Sequence, residues 1–268
     1  MMRNPALHLG AAALLLIAAI AIVGAWVTPY DPAAFAVRFR LAAPSLAHPF
    51  GTDEYGRDVL SRVLAGAHLS LAIGFGAMLL SLVVGVPLGL YAAFNRAWPG
   101  AVIMRLADLM LSIPPILLGL LILAVTPPST VKTIIAVGLV YVPIMIRLAR
   151  AVALGLLQED FVQAARARGE GAASILWREI LPNAWPPLIV ECGLRITFAI
   201  LLGASLSFLG LGPQPPSSEW GLMIAESRQF MDQAPWLALA PGLCLCALLI
   251  AVNVAGEGLR ARLDPTHG

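Results

Sequence analysis

From Leu69 to Phe94 the chain carries no charged side chain, and that run decides its solvent. At about 1.5 Å of rise per residue it forms a helix of roughly 39 Å, enough to cross a hydrocarbon core of about 30 Å. Composition agrees. Charged residues make up 12% of the 268, against about a quarter in soluble domains, and the mean hydropathy is +0.86. The expected class is an all-α polytopic membrane protein. A net charge of +2 on scattered arginines gives no basic stripe for nucleic acid. Cys192, Cys244 and Cys246 lie in apolar segments without zinc or disulfide spacing, so they read as packing residues. His8, His48, His68 and His267 are isolated, and no metal site is expected.

Six segments are apolar enough to span: Leu9 to Val27, Leu69 to Phe94, Ile103 to Val125, Val131 to Ala149, Pro187 to Leu209 and Pro235 to Val254. An even number puts both termini on one side. The first run contains an A-x-A tripeptide, Ala19 to Ala21, but continues to Val27, which favours an uncleaved span over a signal peptide. If the termini are cytoplasmic, the inner segments hold Arg3, Arg96, Arg105, Arg147, Arg150, Arg166, Arg168, Arg178, Arg260 and Arg262. The outer ones hold Arg38, Arg40, Arg57, Arg62, Lys132 and Arg228. The excess of arginine on the first side favours that orientation, because Lys and Arg accumulate on the cytoplasmic side. The whole chain, 1–268, then reads as a single transmembrane domain with an outer segment at 28–66, a cytoplasmic loop at 158–183 and an outer loop at 211–234. Gly85 and Gly89 give a small-xxx-small spacing that lets helices approach closely, with Pro87 between them. Helix packing is the ordinary reading of that spacing, and a dimerisation face the rival.

The loop "QAARARGEGAASILWREILPN", 163–183, interrupts two apolar runs with polar helix formers. Residues 158–168 favour a helix that sets Phe161 and Ala165 one turn apart with Ala164 beside them, and Gly169 and Gly171 interrupt it. A second short helix pairs Leu176 with Ile180, and Pro182 is expected to stop it. Residue types alone leave two readings open: an amphipathic connector lying on the headgroups, or a hairpin offering small side chains to a partner's groove.

The order of residues in this loop resembles the cytoplasmic loop of permease subunits of ATP-binding-cassette importers, written E-A-A, three residues, G, then a spacer to I-x-L-P. Gln163, Ala164, Ala165, Gly169, Leu181 and Pro182 match or nearly match it. Gln163 stands where Glu is usual, and Glu179 where the general pattern has Ile, although the peptide branch shows the "ILPN" form found at 180–183. Further strings are similar to the second permease of dipeptide, oligopeptide and nickel importers: "HPFGTDEYGRDVLSRVLAGAHLSL" (48–71), "MRLADLMLSIP" (104–114), "SFLGLGPQPPSSEWG" (207–221), "APWLALAPG" (234–242) and "GLRARLDP" (258–265).

The resemblance implies six transmembrane helices with a coupling helix between spans four and five, in a multi-pass protein of the bacterial cytoplasmic membrane. It implies a second, homologous permease, two cytoplasmic ATPase domains and an extracytoplasmic substrate-binding protein as partners. Transport by alternating access would serve short peptides, or alternatively nickel or a metal-chelator complex. Docking on the ATPase is expected from Gln163, Ala164, Ala165 and Gly169, with Phe161, Leu176 and Pro182 shaping the loop; for Phe161 and Leu176, packing against the span ends is the competing role. The chain itself needs no cofactor: its sole lysine, Lys132, has no preceding glycine loop, so ATP and Mg fall to the partner ATPase subunits.

Ionisable groups within spans are costly and functional by default. Asp108, one turn from Arg105, is expected to form a local pair. Glu191 and Arg195, four apart, read as an ion pair or as lining of an inner vestibule. The outer loop is rich in Gly and Pro, and Trp220 there is a candidate anchor for a binding protein or for the membrane interface. An ion-driven carrier would need ionisable residues at mid-membrane, where these spans are almost empty of charge. A membrane hydrolase would need H-E-x-x-H or G-x-S-x-G, and neither occurs.

Overall fold

The computed structural model describes residues 5–24, 26–95, 97–125 and 127–263. Arg3, Arg96 and His267 lie outside the described residues, as do the side chains of His8 and Arg262. Ten α-helices follow in order among the described residues: α1 Pro5–Val23, α2 Val59–Phe94, α3 Trp98–Leu111, α4 Pro115–Ala124, α5 Thr130–Leu156, α6 Asp160–Ala167, α7 Ala172–Ser174, α8 Leu181–Phe208, α9 Trp220–Ser227 and α10 Trp236–Leu263. No strand occurs among them.

Among the described residues four helices are long and apolar enough to cross a membrane: Val59–Phe94, Thr130–Leu156, Ala172–Phe208 and Trp236–Ala261. The expected third span is not one straight rod. It is two helices, α3 and α4, bent by 95°. Pro114 and Pro115 cause the break: neither has an N–H to donate, and proline disfavours α geometry in the residue before it. The Ser112 hydroxyl donates to the Leu109 carbonyl (2.7 Å) where the helix gives out. If the bent pair counts as one span the total among the described residues is five.

Span five also departs from expectation. Pro182 does not stop the preceding helix; the chain runs helically from Ala172 to Phe208. A π-helical turn over Ile175–Ile180 absorbs the proline, since a widened turn lets freed backbone groups find new partners. The Asn183 amide donates to the Glu179 carbonyl (2.7 Å) beside it.

Helix α5 is the axis of the bundle: 56% of its apolar window is buried, against 33% for α8 and α10. It lies against α2 through Gly85 and Gly89, where a β-carbon would stand 2.5 Å from the Met145 β-carbon and 2.5 Å from the Ile146 carbonyl oxygen. The small-xxx-small spacing therefore serves packing within the chain. Two apolar cores cap the ends of the bundle. One joins the start of α2 to α9 and α10 around Val63, Trp220, Met223 and Leu248. The other joins the ends of α2 and α5 to α6 and the π turn around Leu90, Ala153, Val162, Ala165 and Ile180.

Candidate functional site: the α6 hairpin and the polar lock at the opposite end

Helix α6 turns one face into the bundle and the other to solvent. Val162 and Ala165 are wholly buried, and Phe161 and Leu176 pack partly buried against the same core. Gln163, Ala164, Ala167, Gly169 and Pro182 are exposed. The expectation that Ala165 meets a partner directly is therefore corrected: Ala165 faces the core with Val162, three residues before it. Ala164, the neighbour on the other face, is exposed.

Gly169 ends α6 in a left-handed conformation, φ +77°. The Glu170 N–H donates to the Ala165 carbonyl (3.1 Å) and the Gly169 N–H to the Arg166 carbonyl (2.9 Å), the paired bonds of a Schellman motif. A β-carbon on Gly169 would meet nothing within 4 Å, so the backbone here is bare to any approaching surface. Charge fixes the hairpin's shape. Arg168 donates to Glu170 through Nη2 (2.6 Å) and reaches Glu179 (3.3 Å), while the Ser174 hydroxyl donates to Glu170 (2.9 Å). Those bonds, that of Arg168 first, hold the Glu170 carboxyl below the usual range. Glu179, which departs from the general loop pattern, is thus a partner of Arg168. Gln163 donates to the Leu157 carbonyl at the end of α5 (3.2 Å), a bond that a carboxylate at this position could not supply.

Asp108 pairs across helices rather than within its own. Its Oδ1 accepts from Arg147 Nη2 (2.6 Å) and Nε (3.2 Å), so the expected local pair with Arg105 is replaced. Glu191 accepts from Arg195 Nε at 2.7 Å, and the two side chains are about one-third exposed.

At the other end of the bundle lies a buried ionic network that sequence reading did not single out. Asp53, Arg57, Asp58, Arg62 and Glu219 are each no more than 3% exposed. Asp53 Oδ2 accepts from Arg57 Nε (2.6 Å) and Arg62 Nη1 (2.7 Å); Arg62 Nη2 goes on to Glu226 (3.1 Å) and the Ser217 carbonyl (3.2 Å). Asp58 caps α2 by accepting from the Ser61 N–H (2.8 Å), and its other oxygen meets His48 Nδ1 (2.9 Å). Glu219 caps α9, accepting from the N–H groups of Gly221 and Leu222 (both 2.9 Å) and from the Ser70 hydroxyl (3.3 Å). Burial pushes its carboxyl above the usual range, against the opposing pull of those bonds. Trp220 is sealed beside it, 3% exposed, its indole N–H donating to the Val63 carbonyl (2.9 Å). An anchoring role for Trp220 on an outside partner is thereby excluded in this conformation. The sequence signal available was the Asp53–Arg57 spacing of four, but the reach from Arg62 to Glu226 spans 164 positions and leaves no local trace.

The described residues thus form a bundle of long apolar helices, one pair of them broken, with a hairpin packed at one end and a buried polar network at the other. The chain superposes with a TM-score of 0.62 on an inward-facing structure of the MetNI methionine ABC transporter, at 18% identity, covering 76% of this chain and 96% of that one. Residues 85–266 match the family described as binding-protein-dependent transport system inner membrane component, and the chain belongs to that family. It is 43% identical over 258 residues to the di/tripeptide transport system permease protein DppC of Pseudomonas aeruginosa, covering 94% of this chain and 85% of that protein. It is 44% identical over 226 residues to the dipeptide transport system permease protein DppC of Alkalihalophilus pseudofirmus, covering 84% and 74%. The probable D,D-dipeptide transport system permease protein DdpC of Escherichia coli is 39% identical, covering 92% and 83%. The chain is thus a permease subunit of an ABC importer in the inner membrane, and its relatives are transport components rather than enzymes.

Proposed function

We propose that this permease carries short peptides, and that the α6 hairpin is the coupling element through which a separate ATPase drives it. Relatives named for dipeptide and tripeptide transport favour that cargo over nickel. Six spans with both termini cytoplasmic put the hairpin inside: α1 crosses first, the broken α3–α4 pair makes the third crossing, and α2, α5, α8 and α10 make the rest. The path forms between this chain and a second, homologous permease, with two ATPase domains inside and a substrate-binding protein outside. ATP and Mg are held by the ATPase subunits.

The observation that carries the coupling role is the two-sided build of α6. Val162 and Ala165 lock it to the ends of α2 and α5, while Ala164 and Gly169 leave a low, open surface. A push on that surface is passed to the spans because the buried face cannot slip. ATP binding shifts the permease toward its outward-open state to the extent that the ATP-bound partner binds that state more tightly. Glu191 and Arg195 sit in the hairpin-side half of α8, about one-third exposed, and shape the inner vestibule as a neutral pair.

The test replaces the exposed alanine with a bulky side chain. Ala164→Trp should leave insertion and folding unchanged, within about 0.5 kcal/mol for a surface site, while abolishing ATP-dependent peptide uptake in reconstituted vesicles. Full uptake by this variant would remove α6 from the coupling path.

A further inference from the structure

At the hairpin end of the bundle, a cavity of about 630 Å³ opens between α2, α3 and α5. Arg105, Arg147 and Arg150 line it with a single acid, Asp108. Asp108 is spent on Arg147 at 2.6 Å, and among the described residues no carboxylate comes within ion-pair distance of Arg105 or Arg150. Arg150 makes only a long contact, 3.5 Å, to the Ala92 carbonyl. Two guanidinium charges therefore face the cavity without a counter-charge among the described residues.

Position says what supplies it. Ala92 lies near the end of α2, Gly100 in the first turn of α3 and Leu154 near the end of α5, so the cavity sits where the helices leave the membrane. Beside it, α3 presents an unpartnered apolar stripe: Trp98 is 76% exposed, Val102 46%, Leu106 56% and Leu109 63%. The spacing of four, four and three puts these four on one face. A charged pocket at interface depth, continuous with an apolar strip running toward mid-membrane, matches an amphiphile with an anionic head and acyl tails.

We propose that this cavity binds the phosphodiester headgroup of an anionic phospholipid, held by Arg105 and Arg150, with its acyl chains along Leu106 and Leu109 and Trp98 and Val102 flanking the headgroup. Guanidinium is suited to the site because its planar donors can grip two phosphate oxygens at once. The proposal needs only that these helix ends meet a bilayer surface. It stands or falls separately from the transport reading.

The full chain, extracted from membranes with its associated subunits, is placed in nanodiscs of phosphatidylcholine containing phosphatidylglycerol, and lipid retained after release is measured by native mass spectrometry. Phosphatidylglycerol should be retained preferentially, with about a fivefold loss of preference for each of Arg105→Gln and Arg150→Gln, as expected for one basic residue at an anionic surface. Arg105→Lys, which keeps the charge but loses the two-point grip, should keep only part of the preference, and Leu106→Gln should weaken retention of the lipid without changing its headgroup selectivity. If an arginine variant fails to assemble, Ala101→Trp fills the same cavity without altering charge and should abolish retention. Equal retention of both lipids overturns the proposal, as does undiminished retention by the double arginine variant. So does displacement by inorganic phosphate or by a dipeptide at millimolar concentration, because the occupant would then be a free anion or cargo.

Discussion

The two ends of this bundle solve opposite problems. At the α9 end, five ionisable side chains are sealed with exposures of 3% or less, and each oxygen of Asp53, Asp58 and Glu219 has a designated donor or partner. At the α6 end the ionic groups are open to water and the sealed part is apolar: Val162, Ala165, Ile175 and Ile180. A buried polar network fixes one arrangement because breaking any member strands a charge away from water. An apolar face under an exposed polar skin fixes attachment only, and leaves the outer surface available to a partner. The difference teaches where rigidity and exchange are placed: the network ties the segment before α2, α2 itself and α9 into one body, whereas the hairpin is anchored on one side only.

The largest effects should come from breaking each end at its sealed part. Arg62→Ala removes the shared partner of Asp53 and Glu226 and should destabilise the protein by about 3–5 kcal/mol, as for one-sided loss of a buried pair. Ala165→Asp buries a charge without a partner and should cost on the order of 4 kcal/mol. Hydrogen exchange separates the two. Arg62→Ala should raise exchange first in α9 and at the start of α2, and Ala165→Asp first in α6 and the π turn. Loss of protection at both ends in either variant would mean the two regions unfold as one unit.

A smaller effect sharpens the contrast on the exposed side. Gly169→Ala has free space for its methyl but must hold φ near +77°, which costs an L-residue roughly 1–2 kcal/mol. That strain falls within the hairpin. Thermal unfolding of the bundle should change by no more than this amount, while transport falls sharply because the turn between α6 and α7 opens. Wild-type transport at reduced stability would show that the turn's geometry is incidental to coupling.

How much of this was legible follows from how far each determinant reaches along the chain. The long apolar runs announced α2, α5, α8 and α10, because burial in hydrocarbon is a property of about twenty consecutive residues. The glycine break after α6 was legible for the same reason: the Schellman bonds join residues five and three apart. The break in the third span carried a local signal too, Pro114–Pro115, but apolar residues on both sides made it read as continuous. Pro182 misled in the opposite direction, since a π turn satisfied the backbone that a proline usually disrupts. Ala164 and Ala165 differ by a rotation of about 100° around the helix, and only the company of Val162 three residues earlier shows which faces inward. Apart from the Asp53–Arg57 spacing of four, the ionic network was hidden, its charges counted among outer-loop residues, because the Arg62–Glu226 contact is a product of the fold.

The subtlest expectation is that acid should tighten one end and loosen the other. Burial raises the Glu219 carboxyl above its unfolded value, so the native state there takes up a proton more readily. The associated stability is fully present below the unfolded carboxylate value and is lost as pH rises through the raised one. Glu170 behaves in reverse. Its hydrogen bonds from Arg168 and Ser174 lower the folded value, so their stabilisation is present above the unfolded carboxylate value and disappears as pH falls through the lowered one. The first change belongs above the ordinary carboxylate range and the second below it. Protection factors for the Gly221 and Leu222 amides, corrected for intrinsic exchange, should therefore rise on acidification before that of the Ile175 amide begins to fall. Glu219→Gln should flatten the first response without touching the second, and Glu170→Gln the converse. Responses of the same sign at both ends would show that a single global equilibrium governs the bundle, and the sealed network would then be coupled to the hairpin rather than independent of it.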